Sequence, residues 1–222
     1  MAVNAVIPVK GLGTAKKRLS PVLSPLERRQ LTLAMLANVL SAVQVPVVGR
    51  IVVVSNDLRV KNMAVKFSAH YIEQKTKGLN AALEEAIEWC KEGGTEAILV
   101  LPADIPLLSP LDVERIIKLG SNGEQTIVLS PSHDGGTSAV FQSSPNLVSM
   151  SFGPYSLGRH IRRARRAGVR VKLYYSKNLA LDIDTAEDLA TLRNVPDNTG
   201  FWEVLRETRL DTHLQELLGG EN

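Results

Sequence analysis

A short segment rich in glycine and basic residues, residues 10–18, contains the first side chains that could do chemistry. It reads Lys-Gly-Leu-Gly-Thr-Ala-Lys-Lys-Arg and follows an apolar run that begins at Val3. Glycines let backbone N–H groups approach phosphate oxygens, and the cations Lys10, Lys16 and Arg18 could neutralise a triphosphate. A solvated basic loop would look the same. The segment lacks the full glycine patterns of a Rossmann fingerprint and a P-loop, which disfavours both folds.

A single aspartate, Asp104, follows a run of five apolar residues. The run Ala97–Leu101 is apolar on both faces, which is typical of a central parallel strand, and prolines stand on either side of the aspartate. Open α/β sheets bind ligands at the carboxyl ends of their strands, so Asp104 is well placed to ligate a hard cation such as Mg²⁺. The alternative is a cap for the next helix, a role that Ser109 fills better.

Two further carboxylates stand two positions apart near the end of the chain. The alternation of residues 179–184 predicts a strand over Leu179–Ile183 with Asp182 and Asp184 on the same face. Carboxylates held that close repel each other unless a divalent cation or a shared proton relieves the repulsion. An exposed polar face beside a helix cap is the alternative. With Asp104 as a third carboxylate, the pattern favours a metal site.

Three glycine-containing segments offer further binding groups. Residues 133–138 read His-Asp-Gly-Gly-Thr-Ser, and residues 152–160 read Phe-Gly-Pro-Tyr-Ser-Leu-Gly-Arg-His. Either could hold a phosphate or a carboxylate, with Ser156 at a helix start where the dipole favours anions, although plain turns need the same residues. In residues 77–82, Asn80 could cap the following helix or hydrogen-bond a nucleobase edge.

The elements that must position these residues follow from the hydrophobic periodicity. Strands are predicted over Val3–Val9, Ile51–Val54, Ala97–Leu101, Ser138–Gln142, Val169–Tyr175 and Leu179–Ile183, with helices in the early gaps. Helix starts are predicted after Ser24, Ser109 and Thr185, each of which has an acidic residue three positions later. The alternation predicts an α/β fold with a mixed, mainly parallel sheet flanked by helices.

Composition restricts the class of protein. The 222 residues are 44% hydrophobic, which is enough to form the core of one large α/β domain. The net charge is only +3, which is too small for the dense basic surface of a nucleic-acid binder. The single cysteine, Cys90, excludes an intrachain disulfide, and no window approaches the roughly 18 apolar residues that span a bilayer. The four histidines show no paired metal-ligand spacing, which disfavours zinc chemistry. We therefore expect a cytoplasmic protein without nucleic-acid or membrane partners.

Seven short motifs occur in order between about Ala2 and Leu192. They are Ile7–Lys10, Ala15–Leu19, Gly78–Asn80, Pro102–Pro106, Asp134–Thr137, Phe152–Gly153 with Ser156 and His160, and Asp182–Thr185. As an ordered set they resemble the 2-phospho-L-lactate guanylyltransferase family of coenzyme F(420) biosynthesis. The resemblance implies a Rossmann-like nucleotidyltransferase fold similar to that of glycosyltransferase-A enzymes. It also implies transfer of GMP from GTP to 2-phospho-L-lactate or phosphoenolpyruvate, with Mg²⁺ and release of pyrophosphate.

The resemblance also implies a role for each matching residue. The metal acids are Asp104, Asp182 and Asp184; the GTP contacts are Lys10, Gly78 and Asn80; the phosphoacid contacts are Thr137, Gly153 and Ser156. Gly11 and Gly13 are expected to join the GTP contacts because they are the glycines of the residue 10–18 loop. Lys16 and Arg18 would act as catalytic cations beside Asp104. Two positions depart from the family pattern, because Lys17 replaces a common small hydroxyl residue and Ser138 replaces a common asparagine.

The residues leave two other functions open. One is a nucleotidyltransferase of the same fold that acts on a molybdenum cofactor or a sugar phosphate; the other is a non-catalytic nucleotide- or RNA-binding module. We expect a nucleotidyltransferase domain over residues 1–195 and a C-terminal helical extension over residues 196–222, with its helix at Trp202–Leu218. Family habit and the apolar side chains of the extension predict a homodimer.

Overall fold

The computed structural model describes residues 2–192, 200–206, 210, 213, 214 and 217. The strands are β1 (Val3–Pro8), β2 (Val48–Ser55), β3 (His70–Glu73), β4 (Ala97–Val100), β5 (Thr126–Pro131), β6 (Thr137–Gln142) and β7 (Arg170–Leu173). The helices are α1 (Pro25–Ala42), α2 (Leu58–Lys66), α3 (Leu79–Glu92), α4 (Pro110–Gly120), α5 (Ser156–Arg166), α6 (Lys177–Ala180), α7 (Ala186–Thr191) and α8 (Gly200–Arg206). Short 3₁₀ turns cover Leu12–Thr14 and Lys17–Leu19.

The strands form one sheet in the order β3-β2-β1-β4-β6-β5-β7. β6 runs antiparallel to β4 and β5, while the pairs β1–β2, β1–β4, β2–β3 and β5–β7 are parallel. The predicted mixed, mainly parallel sheet is therefore confirmed. Because β6 is reversed, its first residue Thr137 lies at the edge where the parallel strands end.

Alternate side chains of the central strands build two separate cores. On one face Ile7 and Leu99 pack with Leu36 of α1, and on the other Val6 and Ile98 pack with Leu83 of α3. This arrangement explains why the sequence of β4 is apolar throughout, because helices cover both of its faces. The strands that lead into the residue 10–18 loop and Asp104 are thus packed on both faces.

The three predicted helix starts are confirmed as complete capping boxes. The side chains of Ser24, Ser109 and Thr185 accept from the backbone N–H groups three residues later, and the acidic residues at those positions accept in return. Each box satisfies N–H groups that an uncapped helix leaves without partners. The boundaries of α1, α4 and α7 are therefore fixed by local sequence.

The predicted strand over Leu179–Ile183 is wrong. Residues 177–180 form the helical turn α6, in which Ala180 N donates to Ser176 O at 3.0 Å, and residues 181–184 are irregular. A short alternating run can bury its apolar side chains without pairing as a strand. Here Leu179 and Ile183 are both buried. Asp182 and Asp184 therefore owe their positions to other contacts. The strands β3 and β5 were absent from the sequence-based prediction.

The described C-terminal residues pack on the rest of the chain. Phe201, Trp202, Leu205, Leu210 and Leu214 are buried in one cluster with side chains of α1 and α7. His213 Nδ1 also contacts Glu27 Oε1 at the start of α1. The rest of the predicted helix over Trp202–Leu218 lies largely outside the described residues. Among the described helices, none combines the length and the apolar character needed to cross a membrane.

Candidate active site

A cleft with two lobes lies at the carboxyl ends of β1 and β4. The first, the cationic lobe, is a cavity of about 290 Å³ lined mainly by residues 8–10 and 14–18. The second, the hydroxyl lobe, is a cavity of about 280 Å³ lined mainly by residues 132–138 and 152–156. Residues that line both lobes include Lys10, Arg18, Asp104 and Asp184. The two lobes therefore meet at a pair of carboxylates.

Lys16 joins the basic loop to that carboxylate pair. Its Nζ donates to Asp104 Oδ2 at 2.8 Å and to Asp184 Oδ1 at 2.7 Å, and its side chain is only 7% exposed. Burial alone would lower the pKa of Lys16, but Asp104 and Asp184 outweigh it and raise this pKa. The ammonium group thus occupies the centre of the acidic site, whereas the sequence suggested that it faces a triphosphate.

Backbone hydrogen bonds bring the acids together in place of the predicted strand. Ile183 N donates to Asp104 O at 3.1 Å, and Asp184 N donates to the Asp188 carboxylate at 2.9 Å. Asp188 also completes the capping box of α7, in which Thr185 is the N-cap, so the helix start holds the backbone of Asp184 in place. The three predicted acids Asp104, Asp182 and Asp184 consequently line one lobe of the cleft.

Asp182 is a buried carboxylate with incomplete hydrogen bonding. Burial and the nearby carboxylates of Asp104, Asp134 and Asp184 raise its pKa to about 6. Its Oδ1 lies 3.3 Å from His133 Nδ1 but has no hydrogen-bond partner within the described part of the chain. An excess of buried negative charge and an unsatisfied oxygen are properties that a divalent cation would correct.

The donor set therefore fits a hard cation, although the present conformation is not a formed metal site. Within residues 2–192 and the described C-terminal positions, no three His, Cys, Asp or Glu side chains are arranged to hold a metal ion. Lys16 separates Asp104 from Asp184, and it supplies the positive charge that a metal would otherwise bring. A metal would have to displace this ammonium group.

The hydroxyl lobe brings the predicted phosphoacid residues together. Ser156 is the first residue of α5, and its Oγ donates to Thr137 Oγ1 at 3.0 Å. Gly153 has φ +120°, a conformation that favours glycine, and its carbonyl accepts from Ser156 N at 3.1 Å. The hydroxyl of Ser138 is buried in the same lobe without a described hydrogen-bond partner. This lobe therefore offers an anion the N-terminus of α5 and a hydroxyl group that is not already hydrogen-bonded within the described residues.

Asn80 holds the hydroxyl lobe to α3. Its Oδ1 accepts from Phe152 N at 2.7 Å and its Nδ2 donates to Phe152 O at 3.2 Å. The N-cap of α3 is Gly78, so the idea that Asn80 caps this helix is wrong. Its predicted contact with a nucleotide stays a prediction. Gly11, Gly13, Gly78 and Asn80 lie outside the lining of the two lobes, unlike the other predicted site residues.

Two arginines of α5, Arg159 and Arg163, bind the segment that precedes Gly153. Arg159 donates to Ser151 Oγ and Ser151 O, and Arg163 donates to the carbonyls of Ser149 and Met150. These side chains fix the segment before Gly153 to the helix. The sequence shows the basic residues but not their backbone acceptors.

Asp57 anchors the basic loop and was missed by the sequence analysis. It is the N-cap of α2, and its Oδ2 accepts from Leu12 N at 2.9 Å. Hydrogen bonds from Arg59, and a further one from Leu12, lower the pKa of Asp57 to about 2. A side chain at Gly11 would approach the neighbouring Asn56 Oδ1 to 3.0 Å. The only sequence signal was an Asn-Asp pair after a strand.

We expect Asp57→Asn to weaken this anchor in a pH-dependent manner. Because the pKa of Asp57 is depressed in the folded state, its stabilisation is present above pH ~4 and is lost as the pH falls towards ~2. The variant should be less stable by about 1 kcal/mol at pH 6, and the difference should shrink below pH 4. Urea unfolding at several pH values measures it. Glu114→Gln, an exposed carboxylate on α4, is the control, and a pH-independent difference would contradict the prediction.

Comparison with known proteins gives a consistent result. The family model described as "Guanylyl transferase CofC like" matches residues 3–219. Phosphoenolpyruvate guanylyltransferase of Rubrobacter xylanophilus is 42% identical over 192 residues, which cover 86% of this chain and 94% of that protein. 2-phospho-L-lactate guanylyltransferase of Methanothermobacter thermautotrophicus is 36% identical over 210 residues, which cover 94% and 92% of the two chains.

Solved structures confirm the fold at lower sequence identity. A candidate nucleotide-diphospho-sugar transferase from Desulfovibrio desulfuricans G20 superimposes with a TM-score of 0.75 at 17% identity, covering 98% of this chain and 99% of that one. A nucleotidyl transferase from Methanothermobacter gives a TM-score of 0.61 at 18% identity, covering 93% and 99%. The predicted nucleotidyltransferase fold and the resemblance of the ordered motifs are thus both confirmed, and the chain belongs to the guanylyl transferase CofC like family.

Proposed function

We propose that this protein transfers GMP from GTP to a three-carbon phosphoacid, 2-phospho-L-lactate or phosphoenolpyruvate, and releases pyrophosphate. The observation that carries the proposal is the two-lobed cleft, in which a cationic lobe and a hydroxyl lobe meet at Asp104 and Asp184. The cationic lobe suits a triphosphate, and the hydroxyl lobe suits the anionic groups of a small acid. The carboxylates lie at the boundary, where the two substrates would react.

The names of the relatives support guanylyl transfer over the alternatives. Both 2-phospho-L-lactate and phosphoenolpyruvate guanylyltransferases align with 85% or more of this chain. These names favour GTP as the donor, and they do not favour a molybdenum cofactor, a sugar phosphate or RNA as the ligand. The acceptor remains one of two closely related three-carbon phosphoacids.

The proposed reaction is an in-line displacement at the α-phosphorus of GTP. A phosphate oxygen of the acceptor forms the new P–O bond as the bond to the β-phosphate oxygen breaks, and pyrophosphate carries away that electron pair. An anion attacking a polyanion meets strong electrostatic repulsion. Lys10 and Arg18, which line both lobes, would neutralise this charge, and they would also favour departure of pyrophosphate. No covalent enzyme intermediate is required.

The acids have a different part in the same proposal. Asp104, Asp182 and Asp184 would hold Mg²⁺, which would supply charge neutralisation and orientation of the triphosphate. Lys16, which donates to Asp104 and Asp184 here, would be free to turn from these carboxylates if they held the metal. Its side chain lines the cationic lobe, so it would then be within reach of phosphate oxygens, as the sequence suggested.

One assay tests the donor, the acceptor and the reaction class together. The protein is incubated with Mg²⁺, each of the four nucleoside triphosphates and a panel of three-carbon phosphoacids, and pyrophosphate release is measured. We expect release only when GTP and either 2-phospho-L-lactate or phosphoenolpyruvate are both present. Equal turnover with all four nucleotides would remove the GTP assignment, and release without any acceptor would point to a hydrolase.

We expect substitutions in the hydroxyl lobe to act on the acceptor rather than on GTP. Thr137→Val removes a hydroxyl group that lines this lobe, and Ser156→Ala removes the hydroxyl group that donates to Thr137 Oγ1. Hydrogen bonds to charged groups contribute about 1.5 to 3 kcal/mol, so the KM for the phosphoacid should rise by about tenfold or more. The KM for GTP should change little. Steady-state kinetics with each substrate varied separately measures both constants, and a selective loss of GTP affinity would contradict the assignment.

The domain division and the oligomeric state are also proposals. Most of the described apolar side chains of the C-terminal extension are buried with side chains of α1, so we propose that this extension, residues 196–222, packs on the nucleotidyltransferase domain, residues 1–195. Intramolecular packing removes the apolar-surface argument for a homodimer, which now rests on family habit alone. Light scattering at assay concentration distinguishes a dimer from a monomer.

A further inference from the structure

His160 is a buried histidine that contacts the hydroxyl lobe from behind. Its side chain is 0% exposed, and both ring nitrogens have partners. The backbone N–H of Ser151 donates to Nε2 at 2.9 Å, and Nδ1 lies 3.2 Å from Thr137 Oγ1. A backbone N–H can only donate, so Nε2 must carry a lone pair. The ring is therefore neutral, and its hydrogen is on Nδ1.

This tautomer determines what the Thr137 hydroxyl can do. His160 Nδ1–H donates to Thr137 Oγ1, and Ser156 Oγ–H donates to the same oxygen at 3.0 Å. A hydroxyl group has two acceptor positions and one hydrogen. Both acceptor positions of Thr137 are filled, so its own hydrogen must point elsewhere. Thr137 lines the hydroxyl lobe, and this hydrogen is available to a ligand there.

We propose that His160 is a positioning residue that fixes the polarity of the Ser151–His160–Thr137 chain, so that Thr137 always offers a hydrogen to the anionic acceptor. The opposite tautomer would take the Thr137 hydrogen and leave only oxygen lone pairs facing an anion. The ligand's identity as a phosphoacid rests on the proposed function. The direction of the hydrogen-bond chain does not, because it follows from the protein alone.

The surroundings of His160 keep this arrangement constant. Burial, together with the nearby charges of Arg163 and Arg159, lowers the pKa of His160 to about 4, so the ring stays neutral near pH 7. Arg159 also donates to Ser151 Oγ and Ser151 O, which holds the donor of the chain in place. Phe152 packs edge-on against the imidazole, with ring centroids 5.3 Å apart. The histidine is built as a fixed hydrogen-bonding unit rather than as a proton carrier.

Nitrogen NMR of the ligand-free protein tests the tautomer directly. In protein with ¹⁵N-labelled histidine, we expect the His160 resonances to show a protonated Nδ1 and an unprotonated Nε2 from pH 5.5 to 8. His160→Asn identifies the resonances by their loss. A hydrogen on Nε2, or a charged ring at pH 7, would overturn the proposal. This measurement uses no substrate, so it is independent of the proposed function.

Two conservative variants test the consequence for binding. In His160→Asn the amide nitrogen can replace Nδ1 and still donate to Thr137, whereas in His160→Gln the amide oxygen can replace Nε2 but the donor to Thr137 is lost. We expect the acceptor KM to stay within about threefold of wild type for His160→Asn and to rise by about tenfold or more for His160→Gln. The KM for GTP should be unchanged in both. Equal effects in both variants would indicate a purely structural role and overturn the proposal.

A double variant separates this proposal from the assignment of the acceptor. In the Thr137→Val background, His160→Gln should add little to the acceptor KM, because the hydroxyl through which His160 acts is absent. Additive effects would show that His160 acts by another route. If the NMR result holds but no phosphoacid is turned over, the proposed function is wrong while the polarity of the chain stands.

Discussion

Asp104→Asn is expected to lower kcat/KM by at least about a hundredfold, or ~2.7 kcal/mol in transition-state stabilisation, while the fold survives. Asparagine keeps the size and most of the hydrogen bonding of aspartate but removes the charge. Asp104 is one of two carboxylates that hold Lys16, and it lines both lobes where the substrates would react. The loss should therefore appear in turnover rather than in folding. Asp182→Asn and Asp184→Asn should behave in the same way.

Melting experiments and kinetics distinguish this role from simpler ones. Without metal the melting temperature of Asp104→Asn should be close to that of wild type, and the added stabilisation by Mg²⁺ and GTP should be smaller. Glu88→Gln, an exposed carboxylate on α3 paired with Lys91, is the matched control and should keep full activity. If Asp104 only stabilises a turn, asparagine should serve almost as well. Wild-type turnover at limiting Mg²⁺ would eliminate Asp104 from the site.

The second large effect is expected for Lys16→Met. Removal of the ammonium group leaves the carboxylates of Asp104 and Asp184 facing each other without a cation, so they should bind a divalent cation more readily. Turnover should nevertheless fall by at least about a hundredfold, because a cation in the cationic lobe is lost. The variant should therefore gain metal affinity as it loses activity, a combination that ordinary loss of folding does not produce.

Calorimetric titration with Mg²⁺ in the absence of nucleotide measures the metal affinity, and pyrophosphate release measures the turnover. Lys118→Met, which removes an exposed lysine on α4, is the matched control and should change neither quantity. Unchanged metal affinity together with lost activity would mean that Lys16 does not compete for the acidic site. Full activity would exclude Lys16 from the reaction.

The sequence predicted the parts of the fold that local chemistry determines. Ser24, Ser109 and Thr185 specify their helix starts because each capping box is complete within four residues. The apolar run of β4 and the aspartate that follows it were also sufficient to locate the carboxyl edge of the sheet. These features need no knowledge of distant residues.

The features that were missed depend on contacts far apart in the chain. The alternation around Asp182 suggested a strand, but Ile183 N pairs with Asp104 O across about eighty residues. The Asp57 side chain accepts a hydrogen bond from the backbone N–H of Leu12, and the Asn80 side chain accepts one from the backbone N–H of Phe152. Because every residue except proline has a backbone N–H, the sequence does not indicate which one a side chain will bind. A single sequence records which side chains are present but does not record which peptide groups they meet.

The reversed direction of β6 places the two lobes of the cleft on different stretches of the chain. The cationic lobe is built mainly on the segments that follow β1 and β4, whereas the hydroxyl lobe is built mainly on the chain between β5 and α5. The loops on either side of β6 can therefore differ in sequence without any change in the residue 10–18 loop. Under the proposed function, this separation would allow the acceptor to change while the donor stays the same.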